Sequence, residues 1–189
     1  VVNCSWGETS KSAYGQDIVN YATANNTLVV ASAGNDGDRD YFYPASYENV
    51  MSVGGTNAND IKAPGSNFGY KIDIMGPSTY IYTTDKFNSY GLTYFGTSYS
   101  TPIVSACAGL VKARYPEMNA IQIGEVLKVT CDNIDTRPEN QNYSELMGAG
   151  RINLFRALTD TLPPSIVIHN YELKSKSVTG AISNGDTLI

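Results

Sequence analysis

One segment restricts the possible folds of this chain more than any other: residues 28–33, Leu-Val-Val-Ala-Ser-Ala. It has the length of a β-strand and contains β-branched residues, but its apolar positions do not alternate with polar ones. A strand with this pattern is typically covered on both faces of its sheet, as the strands of parallel sheets are. The chain is therefore expected to contain a buried, mostly parallel sheet.

Further strands are predicted on either side of this one. Short apolar runs of strand length occur at residues 1–4, 50–53 and 72–75, and Gly-Gly or Gly-Pro pairs end the last two. Parallel neighbours must be joined by long crossover connections, which are usually helical and right-handed. This order of elements predicts an α/β fold.

Helical spacing is found between the strands and in the second half of the chain. The spacing of apolar residues predicts a first helix. One face of this helix, its apolar stripe, would carry Tyr14, Ile18, Tyr21 and Ala22. Three later helices are predicted: one over 103–115 with Pro102 near its start, one capped by Asn119 with Gln122, and one capped by Asn153.

Composition excludes several classes of protein. The chain has 189 residues, 42% of them hydrophobic and 16% charged, which is typical of a globular domain and not of a disordered one. A net charge of −5 provides no basic surface for nucleic acid. No apolar run approaches the roughly 18 residues of a membrane span. Cys4, Cys107 and Cys131 lie in apolar surroundings without metal-ligand spacing, and we expect buried free thiols.

A serine-containing segment, Gly96-Thr97-Ser98, directly precedes a predicted helix. The first turn of a helix has backbone N–H groups without acceptors, and the helix dipole favours negative charge there. Both features suit a nucleophile whose attack creates an oxyanion. Taken alone, the segment is more typical of an ordinary helix N-cap.

An asparagine segment stands at the end of the buried strand. Residues 33–35, Ala-Gly-Asn, follow that strand at its carboxyl end, where ligands bind in open α/β sheets. The Asn35 side chain is placed to donate a hydrogen bond to an oxyanion. Read by itself, the segment is also compatible with a turn that ends the strand.

Together these segments resemble the subtilisin-like serine proteases (subtilases), over most of residues 1–160. Gly96-Thr97-Ser98 with Pro102 resembles the segment of the family's nucleophile, and Ala33-Gly34-Asn35 resembles its oxyanion asparagine. Further matches follow the family's order: 2–7, 43–45 (whose X–Pro bond is often cis), 52–54, 67–69, 73–77 and 148–153. The resemblance implies a three-layer α/β/α fold with a mostly parallel sheet, of which this chain would be a part.

The resemblance also implies roles for individual residues. Ser98 would attack the scissile carbonyl, and its N–H together with Asn35 would form the oxyanion hole. Ser5, Trp6 and Gly7 would pair with an extended peptide substrate, and Ala33 and Gly34 would line the pocket before the scissile bond. Trp6 is equally compatible with a place in the core.

The catalytic Asp and His of the family are not found in this sequence. The only histidine, His169, follows Ser98 and is not expected to replace the family's general base. We therefore expect the Asp and His upstream, and expect the 189-residue chain alone to be inactive. The alternative is a non-catalytic scaffold of the same fold that binds peptides or partners.

The remaining expectations concern domains, metals and location. Pro163-Pro164 ends the helical pattern, so residues 1–162 are interpreted as the C-terminal part of a peptidase domain and 163–189 as the start of a β-rich domain. No cofactor is expected in this chain, and the alternating acids after Asn35 are interpreted as a solvated loop. The resemblance implies calcium in the full-length protein, a peptide or protein substrate, and a secreted or cell-envelope location.

Overall fold

A four-stranded parallel sheet forms the centre of the molecule. The computed structural model describes residues 1–161 and the backbone of two short strands beyond them. The strands are Val2–Cys4 (β1), Val29–Ser32 (β2), Val50–Thr56 (β3) and Ile74–Pro77 (β4), and they lie in that order. Every pairing between them is parallel, which confirms the sheet predicted from the sequence.

Helices connect and cover these strands. They are Ala13–Ala24 (α1), Thr97–Arg114 (α2), Ala120–Val129 (α3) and Leu154–Thr159 (α4), with a 3₁₀ helix at Pro138–Tyr143. The predicted caps are confirmed: Asn119 and Gln122 form a capping box at α3, and the Asn153 side chain accepts from the Arg156 N–H at α4.

The sheet is covered on both faces, as the unbroken apolar run predicts. Val30, Met51 and Ile74 point to one face and pack with apolar side chains of α2 and α3. Val29 and Val50 point to the other face and pack with Val19 of α1 and the segment 43–47, whose Tyr43–Pro44 bond is cis. This gives the three-layer α/β/α arrangement.

Three of the four residues in the stripe predicted for α1 face solvent instead, and Ala22 alone packs as predicted. Tyr14, Ile18 and Tyr21 are exposed, and Val19 is the buried residue of the helix. The helix itself was predicted correctly, but its contact with the sheet is made by small and β-branched side chains, Val19 with the partly buried Ala22. Periodicity identified the helix and not the face that packs.

An antiparallel hairpin separates β4 from α2. Its strands, Tyr82–Asp85 (β5) and Ser89–Leu92 (β6), pair in register from Tyr82 opposite Leu92 to Asp85 opposite Ser89. The sequence analysis did not predict this hairpin. Beyond residue 161, the described backbone comprises the paired strands Leu173–Lys174 (β7) and Thr187–Leu188 (β8). The boundary placed at residue 162 and His169 lie outside the described residues.

The three cysteines are buried and free, as expected. Burial raises the pKa of each thiol, that of Cys131 to about 12. At neutral pH the thiols are therefore protonated and poor nucleophiles. Within the described ranges, no helix combines the length and the apolar character needed to cross a bilayer.

Candidate active site

Ser98 is the second residue of α2, at the edge of the sheet where the parallel strands end. Gly96 occupies the N-cap position, and its N–H donates to the Ser78 carbonyl just after β4. The Ser98 N–H belongs to the first turn, where a helix supplies no acceptor. Ser98 is partly exposed.

Two hydrogen bonds join Ser98 to Ser5, just beyond the end of β1. The Ser98 hydroxyl donates to the Ser5 carbonyl at 3.2 Å, and the Ser5 hydroxyl donates to the Ser98 carbonyl at 3.0 Å. These bonds span 93 positions of the sequence. They hold the candidate nucleophile against the strand end that the sequence analysis assigned to substrate binding.

Pro102 explains why the Ser98 carbonyl is free to accept from Ser5. The helix begins at Thr97, so Pro102 lies inside it and not at its start as the sequence suggested. A carbonyl within a helix normally accepts from the N–H four residues later, and proline has no N–H. The Ser5 hydroxyl replaces the missing donor.

Asn35 lies beyond the end of β2, beside the first turn of α2. Its Oδ1 accepts from the Thr97 N–H and from the Thr97 hydroxyl, both at 2.9 Å. Two donors aimed at one atom fix the orientation of the side-chain amide. Within the described part of the chain, Nδ2 has no protein acceptor, so it is free to donate to a bound group. The sequence analysis did not assign Thr97 this positioning role.

Asn67 holds the loop that carries Asn35. Its side chain is buried, and Oδ1 accepts from the N–H groups of Asp36 and Gly37 at 2.9 Å and of Asp38 at 3.5 Å. The loop turns sharply because Gly34 adopts a φ of +105°. Asn67 was noticed only as part of a family-like segment, and the contact across 31 positions gives no local sequence signal.

Lys62 supports the same loop through the two residues that follow it in the chain. Only 4% of its surface is exposed, and its Nζ donates to the carbonyls of Ala63 at 2.9 Å and Pro64 at 3.3 Å. The Pro64 carbonyl packs on Gly37, where an added Cβ would approach to 2.7 Å. The ammonium lies against the rings of Phe68 and Tyr143, 5.0 and 4.6 Å from their centroids. Burial lowers the pKa of Lys62 to about 8.

The predicted substrate-binding residues lie on either side of this arrangement. Trp6 is 65% exposed, which excludes the core alternative. Gly7 has no space for a side chain, because a Cβ would overlap the Phe42 ring and the Tyr43 carbonyl oxygen. Ala33 and Gly34 are buried directly before Asn35. The structure thus brings Ser5, Ser98 and Asn35 to one edge, with the other predicted residues next to them in the chain.

The chemistry available here is attack by a hydroxyl beside two N–H donors. The described residues include no histidine, so this part of the molecule offers a serine hydroxyl and N–H donors but no imidazole base. Asp36, Asp38 and Asp40 follow Asn35, and the Asp38 carboxylate accepts from the Asp40 N–H. Among the described residues no group of three or more His, Cys, Asp or Glu is arranged to hold a metal.

Comparison with known families gives one match over most of the chain. The model of the subtilase family matches residues 1–150. Subtilisin BL of Lederbergia lenta is 37% identical over 153 residues, 81% of this chain and 54% of that protein. Alkaline elastase YaB of Bacillus sp. (strain YaB) is 36% identical over 153 residues, 81% of this chain and 38% of that protein.

More distant relatives and solved structures agree. The cell wall-associated protease of Bacillus subtilis (strain 168) is 32% identical over 184 residues, 87% of this chain and 20% of that protein. A protease from Pseudoalteromonas arctica has a TM-score of 0.71 and 26% identity over 82% of this chain and 49% of that one. The prenylagaramide maturation protease PagA shares the fold, with a TM-score of 0.73 and 24% identity. The match covers 82% of this chain and 59% of that one. The chain spans about half or less of the curated relatives it matches.

The contact between Ser5 and Ser98 can be tested with a double-mutant cycle. We expect Ser5→Ala to lower the free energy of unfolding by about 1 kcal/mol, because the Ser98 carbonyl loses its donor. Pro102→Ala restores the helical N–H, so in that background Ser5→Ala should cost much less. Urea unfolding of the four proteins measures both values. Equal costs in the two backgrounds would show that Ser5 does not substitute for the missing N–H.

Asn67→Ala should destabilise the chain strongly. Three loop N–H groups lose their acceptor in a partly buried place, so we expect a loss of about 2–3 kcal/mol in the free energy of unfolding. Asn133→Ala is the matched control: this exposed residue accepts a single bond, from the Asp135 N–H. Its cost should stay below about 1 kcal/mol. Similar losses for both variants in urea unfolding would contradict the role given to Asn67.

Lys62 should make stability rise with pH. The amine titrates near 10.5 when unfolded and near 8 when folded. Below pH 8 the amine is protonated in both states, and the folded state carries the cost of a buried charge. Between pH 8 and pH 10.5 only the unfolded state keeps the proton. The free energy of unfolding therefore increases as the pH rises through this range. Relative to Lys62→Met, the wild type should gain up to about 3 kcal/mol across this window.

Urea unfolding at several pH values measures this gain. Lys11→Met, at an exposed position, controls for the change in net charge. A difference between wild type and Lys62→Met that does not vary with pH would refute the assignment.

Proposed function

Because the chain belongs to the subtilase family, we propose that it is part of a serine endopeptidase in which Ser98 is the nucleophile. The observation that carries the proposal is the orientation of Asn35. Thr97 occupies its Oδ1, so Nδ2 is left to donate beside the hydroxyl and N–H of Ser98. A structural cap of the helix would use Oδ1 alone, whereas the proposed oxyanion hole uses Nδ2.

The proposed reaction begins when the Ser98 hydroxyl attacks the scissile carbonyl. The oxygen becomes negatively charged in the tetrahedral intermediate, and the Ser98 N–H and Asn35 Nδ2 stabilise it. The bonds from Thr97 that orient the Asn35 amide support this role, because a donor held in advance needs little reorganisation when the charge develops. The reaction needs no cofactor at this point, because the protein groups supply the nucleophile and the donors.

The proton of Ser98 requires a general base. We propose that a His, oriented by an Asp, is supplied from sequence preceding residue 1 in the whole protein. His169 is not assigned this role. In the structure the Ser98 hydroxyl donates to the Ser5 carbonyl, and it would have to rotate away from that acceptor to reach an imidazole.

The substrate is proposed to be a polypeptide bound in extended form. The backbone of Ser5, Trp6 and Gly7 continues from β1 and would pair with it, while Ala33 and Gly34 border the pocket before the scissile bond. The exposed Trp6 adds an apolar wall. A secreted or envelope location is proposed from the family, in which one relative is named a cell wall-associated protease.

Labelling with a fluorophosphonate tests the proposal. In the whole protein we expect the probe to label Ser98, and Ser98→Ala to abolish both labelling and peptide cleavage. Ser105→Ala, in the same helix, is the control and should retain both. Asn35→Ala should lower kcat by about 10²–10³, the magnitude established for such a donor in a subtilisin. The 189-residue chain alone should show negligible cleavage, because it lacks the base.

Two outcomes would contradict the proposal. If the whole protein is folded but neither labelled nor active, the chain belongs to a non-catalytic scaffold that binds peptides or partners. Substantial cleavage by the 189-residue chain, lost in Ser98→Ala, would show that the base lies within it.

A further inference from the structure

A fully buried polar side chain lies in the 3₁₀ helix Pro138–Tyr143. It belongs to Asn140, of which 0% is exposed. Its Oδ1 accepts from the Lys62 N–H, and its Nδ2 donates to the carbonyls of Asp60 and Ile134, each at 2.9 Å. An amide left unpaired in the interior would be costly, so these bonds hold the backbone at Lys62 in place.

The same 3₁₀ helix contacts the side chain of Lys62. The ammonium lies 4.6 Å from the centroid of the Tyr143 ring, within the range of a cation–π contact. Tyr143 in turn meets the Phe68 ring edge to face, with centroids 4.9 Å apart, which restricts the orientation of both rings. One short helix therefore holds Lys62 twice, at its backbone through Asn140 and at its ammonium through Tyr143.

Lys62 connects this helix to the segment that supports the loop of Asn35. Its ammonium donates to the carbonyl of Pro64 at 3.3 Å, and that carbonyl packs against Gly37. In the same segment, the side chain of Asn67 accepts from the Gly37 N–H at 2.9 Å. A displacement of Lys62 would therefore be transmitted to the loop through two neighbouring contacts.

Contacts on both sides of Asn35 fix the position of its side chain. The Asn67 N–H donates to the Gly34 carbonyl at 3.2 Å, and the Asn67 Oδ1 accepts from the Asp36 N–H at 2.9 Å. The Thr97 hydroxyl also donates to the Gly34 carbonyl, at 3.3 Å. A catalytic donor must stand within about 0.5 Å of its working position, so a small movement of the Asn67 segment would disturb the Asn35 amide.

We propose that Asn140 and Tyr143 are positioning residues for the oxyanion donor: by holding Lys62 they set the place of the Asn35 amide relative to Ser98. Both act through other residues and not on the substrate. This inference rests on the proposed endopeptidase function. The oxyanion carries its charge in the transition state and not in the bound substrate, so a misplaced donor should lower kcat and leave KM nearly unchanged.

Kinetics of the whole protein test this positioning role. Asn140→Ala removes the bonds of the buried amide, and we expect kcat to fall about tenfold at nearly constant KM. The loss should be smaller than for Asn35→Ala, because the donor is displaced and not removed. Tyr143→Leu removes the ring beside the Lys62 ammonium and should lower kcat about threefold, whereas Tyr143→Phe keeps the ring and should behave like the wild type.

A double-mutant cycle separates positioning from a general loss of structure. In the Asn35→Ala background, Asn140→Ala should change kcat less than about twofold, because no donor is left to position. Ile123→Ala is the matched control for stability, since Ile123 is a buried residue of α3 in the core beside the sheet. The cavity it leaves should lower the urea midpoint of unfolding by a similar amount, yet kcat and KM should stay those of the wild type.

NMR of the full 189-residue chain tests the positioning without any chemistry. Asn140→Ala and Tyr143→Leu should shift the side-chain NH₂ signals of Asn35 and the backbone amide signals of residues 34–37. Tyr143→Phe and Ile123→Ala should leave these signals in place. The amide signals of the central sheet establish that each variant remains folded.

The proposal is overturned if Asn140→Ala lowers kcat equally in both backgrounds, or if Ile123→Ala lowers kcat as much as Asn140→Ala does. Should Asn140→Ala fail to fold, Tyr143→Leu decides, and an unchanged kcat with unshifted Asn35 signals would overturn the proposal. A whole protein that is folded but inactive would refute the proposed function alone, since the Asn35 signals would still report the positioning. An active protein in which these signals respond to neither variant would refute the positioning alone.

Discussion

The geometry of the site depends on one missing hydrogen-bond donor. Pro102 lies inside α2 and cannot donate to the Ser98 carbonyl, which would otherwise be unpaired in a partly buried place. The Ser5 hydroxyl, just beyond the end of β1, donates to the Ser98 carbonyl in place of the missing N–H. The Ser98 hydroxyl donates to the Ser5 carbonyl. The proline thus couples the first turn of the helix to the strand end next to it. Ser98, the proposed nucleophile, is therefore fixed through its own backbone to the segment that follows β1.

The loop that carries Asn35 is held by two buried polar side chains, Asn67 and Lys62. Asn67 accepts hydrogen bonds from the N–H groups of the loop after Asn35, and Lys62 donates to the carbonyls of the segment that packs against this loop. A buried amide or ammonium is costly unless its bonds are made, so these residues allow few alternative loop conformations. Thr97 completes the arrangement by orienting the Asn35 amide itself. Rigidity at the site therefore originates in contacts between segments distant in sequence.

This dependence on distant contacts explains what the sequence could predict. The strand at residues 28–33 was recognisable because burial on both faces leaves a local pattern, and Asn35 and Ser98 were recognisable because they belong to short motifs. Asn67 and Lys62 act across the fold and leave no such pattern. The α1 stripe was misassigned because Tyr14 and Tyr21 have the right period but face solvent. The hairpin was missed because β5 and β6 are short and mostly exposed, so they lack the apolar runs by which the buried strands were recognised.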